Sequence, residues 1–458
     1  MRRLAYDQLM EWKSSPNRKP LIVKGVRQCG KTHLIKEFGR LNYRNVVYLN
    51  FEGDPKLSMH FEMDLDPARI IRDLGIYLGI SIHPESTLIV FDEIQYCKPA
   101  ITSLKYFNEN APEYHVICAG SLLGVKSAEY FSFPVGKVNY LDLYPMNFYE
   151  FLLANGEEKL CEYLSRLGPK DMNQSFAPKL EEYYRHFQIV GGMPEAVADW
   201  VRNHDVVSVE NIQKEILRNY VDDFNKHAAD EVNELMLIWR SIPQQLSKEN
   251  SRFIFSHVKE GKRARDLEHS LEWLISAGIV HKVNKIVAPS VPLSAFSDET
   301  NFRIYFADIG LLRVLSETPV RFVFESGEEF KHFRGALAEN FVLNELFISG
   351  KSPFFWKSSN DAEVDFVCMF GSHVVPVEVK SDINLRSQSL KKYVSEYGPE
   401  RSVKISMNPN LTDDGVNVRI PMWLAWRIGD IVGDDTDEFN RRLVERSADR
   451  HTDGKPEI

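Results

Sequence analysis

The stretch that decides the fold is Gly25-Val26-Arg27-Gln28-Cys29-Gly30-Lys31-Thr32. It matches the pattern G-x-x-x-x-G-K-[ST]. An apolar run at residues 21–23 precedes it and a helical pattern at residues 31–38 follows it, which is the strand–loop–helix context that the motif requires. The glycines permit bends that point successive backbone N–H groups inward, and the helix N-terminus adds its dipole. We therefore predict a loop that holds phosphate groups.

The side chains of this loop have separate predicted roles. Lys31 can reach the β- and γ-phosphates of a nucleotide, and Thr32 can bind Mg²⁺. His33 follows in the helix and completes the candidate nucleotide-binding residues, 25–33. Cys29 is either a redox switch or a small side chain at a variable position. For the whole loop, the alternative is a tight strand-to-helix turn without a ligand.

A second motif is an apolar run at residues 88–91 that ends in Asp92 and Glu93. Buried strands rarely end in paired carboxylates without a nearby cation, because unpaired charge is costly there. Beside a phosphate loop, we expect Asp92 to hold Mg²⁺ through water. Glu93 is then expected to orient and deprotonate an attacking water. The alternative is that Asp92 only caps the next helix.

Five apolar runs in the first third predict strands, at residues 21–23, 45–49, 87–91, 115–118 and, more weakly, 138–144. Helical patterns between them, such as 101–109, predict a parallel sheet covered on both faces. Ser121 follows the fourth strand and is a candidate contact of the γ-phosphate or the attacking water, or a plain turn serine. Three basic residues are candidates for an arginine-finger role without a choice among them: Lys126, Lys137 and Arg185.

The middle of the chain, from about residue 174 to 315, is mainly helical in pattern. Residues 264–277 carry apolar positions with a 3.6-residue period, and Gly278 ends that helix. Strands at 279–283 and 302–306 then predict a two-strand ribbon, as in a winged helix-turn-helix. A basic patch lies where a recognition helix would begin, and it either contacts DNA phosphates or is a solvated loop. Its residues are Lys259, Lys262, Arg263 and Arg265.

The last third reads as a charged hinge followed by an α/β unit and a polar tail. The hinge is 325–331, the predicted helices are 335–348 and 389–396, and the strands lie near 354–357, 363–368, 374–379 and 402–406. The tail after Gly433 is rich in acidic residues and is expected to be loose. Pro376 removes one ladder N–H, so we expect the third of these strands to be irregular there.

Acidic side chains cluster in this last unit. Period 2 places Glu378 and Lys380 on one face of a strand, with Val377 and Val379 on the other. On the preceding strand, Glu363 and Asp365 share a face, while Val364 and Phe366 are expected to face the core. Asp365 and Glu378 are candidate metal ligands, Glu339 on the preceding helix can add a third carboxylate, and Lys380 can stabilise charge on a phosphodiester. A purely structural salt-bridged cluster is the alternative.

Composition narrows the function classes. The 458 residues are 43% hydrophobic and 26% charged, which excludes a fibrous or mostly disordered chain and allows about three domains. The apolar runs are far shorter than the ~20 residues that span a bilayer, so no membrane partner is expected. Five scattered cysteines without a C-x-x-C pair favour a cytoplasmic location. The net charge of -9 argues against a surface that binds nucleic acid everywhere, but permits a local patch.

Taken together, these motifs resemble a known family. The chain is similar to prokaryotic AAA-type P-loop ATPases of the STAND-like MNS clade that end in a PD-(D/E)xK nuclease-like domain of unknown function. The resemblance rests on residues 25–32, 91–95, 143–146, 191–194, 305–310, 335–340 and 363–366, with the D…E-x-K pattern of Asp365, Glu378 and Lys380. Similar proteins carry a basic residue, often Arg, after the glycine equivalent to Gly136, where this chain has Lys137.

The resemblance implies an α/β fold with a P-loop sheet of the additional-strand type, then a helical and winged-helix domain, then a PD-(D/E)xK-like α/β domain. The expected boundaries are 1–155, 156–320, 325–430 and a tail at 431–458. It also implies that Pro194, in the turn 192–194, packs against the adenine. A rigid proline at the first turn of a helix explains the same residue.

The sequence therefore favours an ATP-hydrolysing molecular switch that uses ATP and Mg²⁺ and is coupled to a nuclease-like domain acting on DNA or RNA. The alternative is a signalling or scaffold ATPase whose last domain is catalytically inactive and binds a protein or nucleic-acid partner. An ATP-binding protein with negligible turnover is a third interpretation, against which Glu93 argues. The oligomeric state stays open.

Overall fold

A computed structural model of the chain describes residues 1–120, 134–169, 171–227, 231–246, 252–261, 263–325, 331–358, 362–383 and 387–433. These residues form two sheets with helices packed around them. In these ranges no helix combines the length and the apolar character needed to cross a bilayer.

The first sheet is parallel and five-stranded over the described residues. Its strands are β1 (Leu21–Lys24), β2 (Asn45–Asn50), β3 (Thr87–Asp92), β4 (His115–Ala119) and β5 (Asn139–Asp142). The order is β2-β3-β4-β1-β5, so β4 lies between the strand before the phosphate loop and the strand that ends in Asp92. This is the expected additional strand, and all five strand predictions are confirmed.

The sheet is apolar on both faces. Leu21 and Val23 of β1 belong to one core cluster, whereas Ile22 between them belongs to a second. Successive side chains of a strand point to opposite faces, so a strand covered on both sides reads as an unbroken apolar run. The covering helices are α1 (Ala5–Ser14), α2 (Lys31–Asn42), α3 (Met59–Glu62), α4 (Pro67–Leu78) and α5 (Lys98–Asn110).

The middle part is helical, as predicted. Its helices are α6 (Phe148–Ala154), α7 (Glu158–Arg166), α8 (Ala177–Val190), α9 (Pro194–Asn203), α10 (Val206–His227), α11 (Val232–Leu246), α12 (Phe255–Val258), α13 (Ala264–Ser276), α14 (Ile309–Leu315) and α15 (Arg321–Phe324). A capping box of Asn147 and Glu150 starts α6, and Pro194 occupies the first turn of α9. Below, the helices α8 to α14 are called the lid.

The second sheet has eight strands over the described residues, in the order β12-β13-β11-β10-β9-β8-β6-β7. Its elements are β6 (Val280–Ile286), β7 (Ser297–Phe306), α16 (Lys331–Ile348), β8 (Phe354–Lys357), β9 (Glu363–Phe370), β10 (His373–Lys380), α17 (Gln388–Tyr397), β11 (Ser402–Ser406), β12 (Thr412–Asp413), β13 (Asn417–Pro421) and α18 (Ile428–Val432). The predicted order helix–strand–strand–strand–helix–strand from α16 to β11 is confirmed.

The predicted two-strand ribbon forms, but it is not a separate wing. β6 and β7 pair antiparallel, and β6 also pairs in parallel with β8 through Lys285–Phe355 and Ile286–Trp356. An unpaired strand edge offers its N–H and C=O groups to any neighbouring strand, and β8 takes up that edge. The second sheet therefore crosses the boundary expected near residues 320–325.

Two details of the last unit differ from the prediction. β9 has a register irregularity against β8, so Val364 and Phe366 lie in different core clusters instead of sharing one face. An extra residue in a strand breaks the alternation and redirects its side chain. β10 runs unbroken through Pro376, because its pairing with β11 begins only at Val377. The prediction of an irregular strand at Pro376 was therefore wrong.

The hinge residues 326–330 and the tail residues 434–458 lie outside the described residues.

Candidate functional site

The phosphate loop lies between β1 and α2 at the carboxyl edge of the first sheet. The Lys31 ammonium donates to the carbonyl oxygens of Gly25 at 2.7 Å and Val26 at 2.9 Å. The loop's cation thus contacts backbone carbonyl groups and stays available for an anion. The loop conformation puts Gln28 at φ 65° and Gly30 at φ 96°.

The loop and the lid approach the same segment, residues 143–146, at two glycines. A Cβ on Gly25 would lie 2.1 Å from the Leu143 carbonyl oxygen, and a Cβ on Gly192 would lie 2.0 Å from the Met146 carbonyl oxygen. Both distances are far inside van der Waals contact, so only glycine fits either position. Met146 N also donates to Gly192 O at 2.7 Å. Motifs that are distant in sequence therefore form one packed unit beside the loop.

Asp308 holds the turn at residues 191–194, which lies between α8 and α9. Its carboxylate accepts hydrogen bonds from Gly192 N and from Leu311 N, at the start of α14. Burial raises the pKa of Asp308 to about 6, against the effect of these N–H donors. The carboxylate therefore joins two stretches on which the family resemblance rests, 191–194 and 305–310.

The two acids at the end of β3 lie in the expected place. The Thr32 hydroxyl donates to Asp92 Oδ2 at 3.0 Å, and the Tyr48 hydroxyl donates to the same oxygen. A threonine hydroxyl and a buried carboxylate are hard oxygen donors, so this pair suits Mg²⁺. Thr32 and Asp92 are the residues that would hold the ion. Tyr48 was not expected, since a tyrosine in the middle of a strand carries no motif.

Glu93 follows in an uncommon conformation. Its backbone is left-handed, with φ 50° and ψ 42°, and its carboxylate accepts a hydrogen bond from Gln95. Left-handed backbone in a non-glycine residue costs roughly 1–3 kcal/mol and clusters at functional sites. Burial raises the pKa of Glu93, and the charge of Asp92 adds to this, while Gln95 and Lys31 act in the opposite direction. A carboxylate with a raised pKa is a stronger base.

Pro194 lies directly beside the loop. Its Cγ is 3.3 Å from the position that a Cβ on Gly30 would take. Arg3 lies at the same place, where it donates to Cys29 O at 3.0 Å, Tyr144 O at 2.6 Å and Glu150 Oε1 at 3.0 Å. The sequence offered no signal for Arg3, because one basic residue near a chain start is unremarkable.

Several other candidates take less central positions. The His33 side chain is 76% exposed and lies 3.7 Å from Glu37, one turn further along the same helix. Cys29 is fully buried, which is typical of an unreactive structural thiol. Two of the finger candidates have partners elsewhere: Lys137 pairs with Glu109 at 2.9 Å and Arg185 with Glu181. Ser121, Lys126 and Lys262 lie outside the described residues.

The predicted residues of the last unit also come together. Asp365 Oδ2 accepts a hydrogen bond from Val379 N at 2.7 Å. Glu378 Oε1 accepts from the Lys380 ammonium at 2.7 Å and from the Ser387 hydroxyl at 2.9 Å. Burial raises the pKa of Asp365, and the charges of Glu378 and Glu339 add to it.

The four carboxylates Glu339, Glu363, Asp365 and Glu378 are called the acid cluster below. A buried arginine that the sequence did not reveal lies beside them. Arg303 of β7 is 1% exposed, lies 3.8 Å from Glu339 and pairs with Glu363. Lys357 approaches the other oxygen of Glu363 at 3.4 Å. Arg303 reaches the cluster only because β6 and β7 join the second sheet, so no local sequence signal could have placed it there.

The acid cluster fits a metal ion poorly. One oxygen of Glu378, Oε2, is buried without a partner. However, the described residues contain no group of three or more His, Cys, Asp or Glu side chains arranged to hold a metal ion. Arg303, Lys357 and Lys380 already offset the negative charge. The prediction of a metal held by Glu339, Asp365 and Glu378 therefore gains no support.

Three family models match parts of the chain. Residues 17–152 match a model described as an AAA domain. Residues 181–320 match a domain of unknown function, DUF8612, and residues 334–424 match another, DUF4143. No curated protein matches the chain. The first part of the chain is thus similar to an AAA domain, and the other two matches carry no functional description.

Solved structures with a similar arrangement share little sequence with the chain. The Orc1 protein of Aeropyrum pernix in complex with DNA is 14% identical, with 70% of this chain and 94% of that chain covered and a TM-score of 0.29. DnaA of Aquifex aeolicus bound to AMPPCP is 16% identical, with 58% and 75% covered and a TM-score of 0.27. A STAND protein with a tetratricopeptide repeat sensor from Pyrococcus horikoshii is 14% identical, with 73% and 44% covered and a TM-score of 0.25. At these TM-scores the likeness supports no argument about function.

Proposed function

We propose that this protein binds and hydrolyses ATP with Mg²⁺ and acts as a nucleotide-dependent molecular switch. The observation that carries the proposal is the meeting of Lys31, Thr32, Asp92 and Glu93 at one sheet edge, with Thr32 and Asp92 joined at 3.0 Å. Residues about sixty positions apart in sequence meet because β1 and β3 are parallel strands of one sheet, separated by β4, and end at the same edge.

The residues divide the chemistry between them. Loop N–H groups and Lys31 neutralise the phosphates, and Mg²⁺ held by Thr32 and Asp92 supplies further positive charge. Glu93 orients a water and takes its proton as the water oxygen bonds to the terminal phosphorus. The bond from that phosphorus to the bridging oxygen breaks, which releases ADP and phosphate.

A nucleotide-dependent switch requires that the lid contact the nucleotide-binding site. Pro194 beside Gly30 and Gly192 against Met146 place the start of α9 on the loop, and we propose that Pro194 contacts the adenine. Movement of the lid would reach the last unit through the second sheet, because β6 and β7 follow α13 and precede α14 in the chain and β6 pairs with β8.

Calorimetric titration with MgATP tests the binding. Lys31→Ala should weaken ATP affinity by about a hundredfold, because a hydrogen bond to a charged group contributes roughly 1.5–3 kcal/mol. Lys105→Ala, an exposed lysine on α5, is the control and should bind like the wild type. Unchanged affinity in Lys31→Ala would refute the proposal.

A second candidate function concerns the last unit. The sequence pattern of Asp365, Glu378 and Lys380 predicts metal-dependent cleavage of DNA or RNA, whereas the cations that lie beside the acids favour a domain that binds its partner without cutting. DNA and RNA should be incubated with Mg²⁺ or Mn²⁺, with and without ATP, beside an Asp365→Ala variant. Cleavage by wild type that Asp365→Ala abolishes establishes the nuclease. No cleavage, or cleavage that survives the substitution, leaves the binding role.

A further inference from the structure

One helix of the lid lies along the catalytic edge of the first sheet. Three residues of α10, spaced by three, contact it: the Tyr220 hydroxyl donates to Arg27 O at 3.1 Å, Asp223 pairs with the Arg27 guanidinium, and Lys226 pairs with Glu52. Residues three apart share one face of a helix, so α10 presents this face as a unit. The first two contacts are made to the phosphate loop itself.

The two ion pairs are unequal. The side chain of Asp223 is 9% exposed and that of Arg27 is 42% exposed, whereas Lys226 and Glu52 are 50% and 40% exposed. Exposed pairs contribute little, because water and salt screen them. The opposite polarity of the pairs sets the position of α10 along the edge, and the Arg27–Asp223 pair carries more of the attachment.

Arg27 also interacts electrostatically with Glu93, the proposed base. Burial acts to lower the pKa of Arg27, but Asp223, Glu93 and Glu52 together outweigh it and the pKa is raised. The guanidinium therefore remains charged, and it lies within electrostatic reach of Glu93. Among the loop side chains, Lys31 is folded onto carbonyl groups, so Arg27 is the loop cation that the lid holds.

We infer that the Arg27 guanidinium pairs with Asp223 when ATP is absent and with the terminal phosphate when ATP is bound. The helix α10 is then the part of the lid that responds to the triphosphate. The inference rests on the proposed ATP binding and goes beyond it by naming the contact that regulates the lid. The phosphate group and Asp223 are rival anions for one guanidinium on the same loop. Binding of one therefore weakens the hold of the other.

Because Asp223 is buried, the transfer of Arg27 from Asp223 to the phosphate is coupled to a movement of α10. A carboxylate that loses its partner while it stays buried is strongly destabilising. Arg27 can turn toward a phosphate only if Asp223 gains access to water, which requires α10 to move. Loss of the Arg27–Asp223 pair and displacement of the lid helix are therefore one event.

The test compares Asp223→Asn with Asp222→Asn. Asp222 is the neighbouring residue, carries the same charge and is exposed, so it controls for net charge on α10. We expect Asp223→Asn to bind ATP about tenfold more tightly than the wild type, with ADP affinity unchanged, because the rival anion is gone. Asp222→Asn should bind both nucleotides like the wild type. Calorimetry with ATP and with ADP gives these values.

Hydrogen exchange of residues 206–227 gives a second readout that does not depend on turnover. In the wild type, ATP should increase exchange in this helix and ADP should not. In Asp223→Asn the increase should be present without nucleotide. In Arg27→Ala the ATP affinity should fall toward that of ADP, and adding Asp223→Asn to it should change nothing further.

The possible failures are distinguishable. If Asp223→Asn matches Asp222→Asn in both nucleotide affinities and in exchange, the inference is overturned while ATP binding stands. If wild type binds no ATP, or Lys31→Ala binds it normally, the proposed function itself fails. Circular dichroism of each variant shows whether a changed affinity comes from misfolding, and Arg27→Lys, which keeps the charge, should retain a preference for ATP over ADP.

Discussion

The phosphate loop and the acid cluster of the second sheet use similar residues to opposite effect. Each places carboxylates at the end of a buried strand with a lysine nearby. At the loop, Lys31 donates to backbone carbonyl groups, and Asp92 accepts from two hydroxyl groups and from the backbone N–H of Glu93. In the acid cluster, Glu378 is paired with Lys380, and Glu363 with Arg303. Among the described residues, Lys31 and Asp92 have no ion pair, although Arg27 of the same loop pairs with Asp223, whereas the acids of the second site have their own cations.

This difference separates a site that needs a ligand from one that is complete without it. A buried charge is tolerated when a counter-charge is present. At the loop, phosphates and a metal ion would provide the counter-charges. In the acid cluster, the chain provides them itself. Sequence motifs identify the acidic residues of the phosphate-loop site and of the acid cluster, but they do not show which cations lie beside them.

The largest expected effect tests the loop side of the comparison. Glu93→Gln keeps the size and the hydrogen bond to Gln95 but removes the base, so ATP should still bind and turnover should fall roughly 10²–10⁴-fold. Steady-state phosphate release measures it, beside calorimetry for binding. Glu113→Gln, an exposed glutamate after α5, is the control. Wild-type turnover in Glu93→Gln would show that Glu93 is not the base.

The next prediction tests whether the acid cluster depends on its own cation. Arg303→Met keeps the volume but leaves Glu339 and Glu363 without their buried partner, which should destabilise the fold by about 3–5 kcal/mol. Arg321→Met, at an exposed position, should cost far less. Urea unfolding of both variants measures the difference. Equal stability of the two would mean that Arg303 does not neutralise the cluster.

A smaller effect concerns a buried carboxylate between the two regions. Glu345 of α16 accepts a hydrogen bond from Phe148 N at 2.9 Å, and burial raises its pKa to about 8, with the charge of Glu150 adding to it. In the unfolded chain the pKa is near 4.3. Between these values the folded state holds a proton that the unfolded state has lost, so stability should fall as pH rises through this window.

Glu345→Gln cannot titrate and should remove this slope, about 1.4 kcal/mol per pH unit at most. Urea unfolding at pH 5.5, 6.5 and 7.5 would show it, with Glu182→Gln, an exposed glutamate on α8, as the control. If the slope of Glu345→Gln equals that of the control, Glu345 does not hold a proton in the folded state.

The smallest expected effect concerns Pro194. If this residue contacts the adenine, Pro194→Ala should reduce the preference for ATP over GTP by a few-fold, since the contact of the ring Cγ and Cδ is lost. The fold should be unaffected, because alanine is also accepted at a helix start. Competition between the two nucleotides in calorimetry measures the preference. Equal discrimination in both proteins would leave Pro194 only its role at the start of α9.

The sequence by itself determined the features that depend on neighbouring residues alone, namely the phosphate loop and the positions of the strands. The pattern of residues 25–32 predicted a strand, a loop and a helix, and apolar runs predicted the five strands of the first sheet, because hydrophobic periodicity and glycine placement are local properties. The sequence also predicted that Thr32 and Asp92 serve one Mg²⁺ site, because both motifs belong to a phosphate-loop protein. The acids Asp365 and Glu378 were found from the D…E-x-K pattern and the two-residue period of strands.

Tertiary structure alone decided the rest. It joined β6 to β8, which carried Arg303 into the acid cluster, and it redirected β9 through a register irregularity between Val364 and Val367. It also placed Asp223 of α10 on Arg27, almost two hundred residues away. Strand-edge pairing and buried ion pairs depend on which surfaces meet in space, and the chain's local pattern does not encode such meetings.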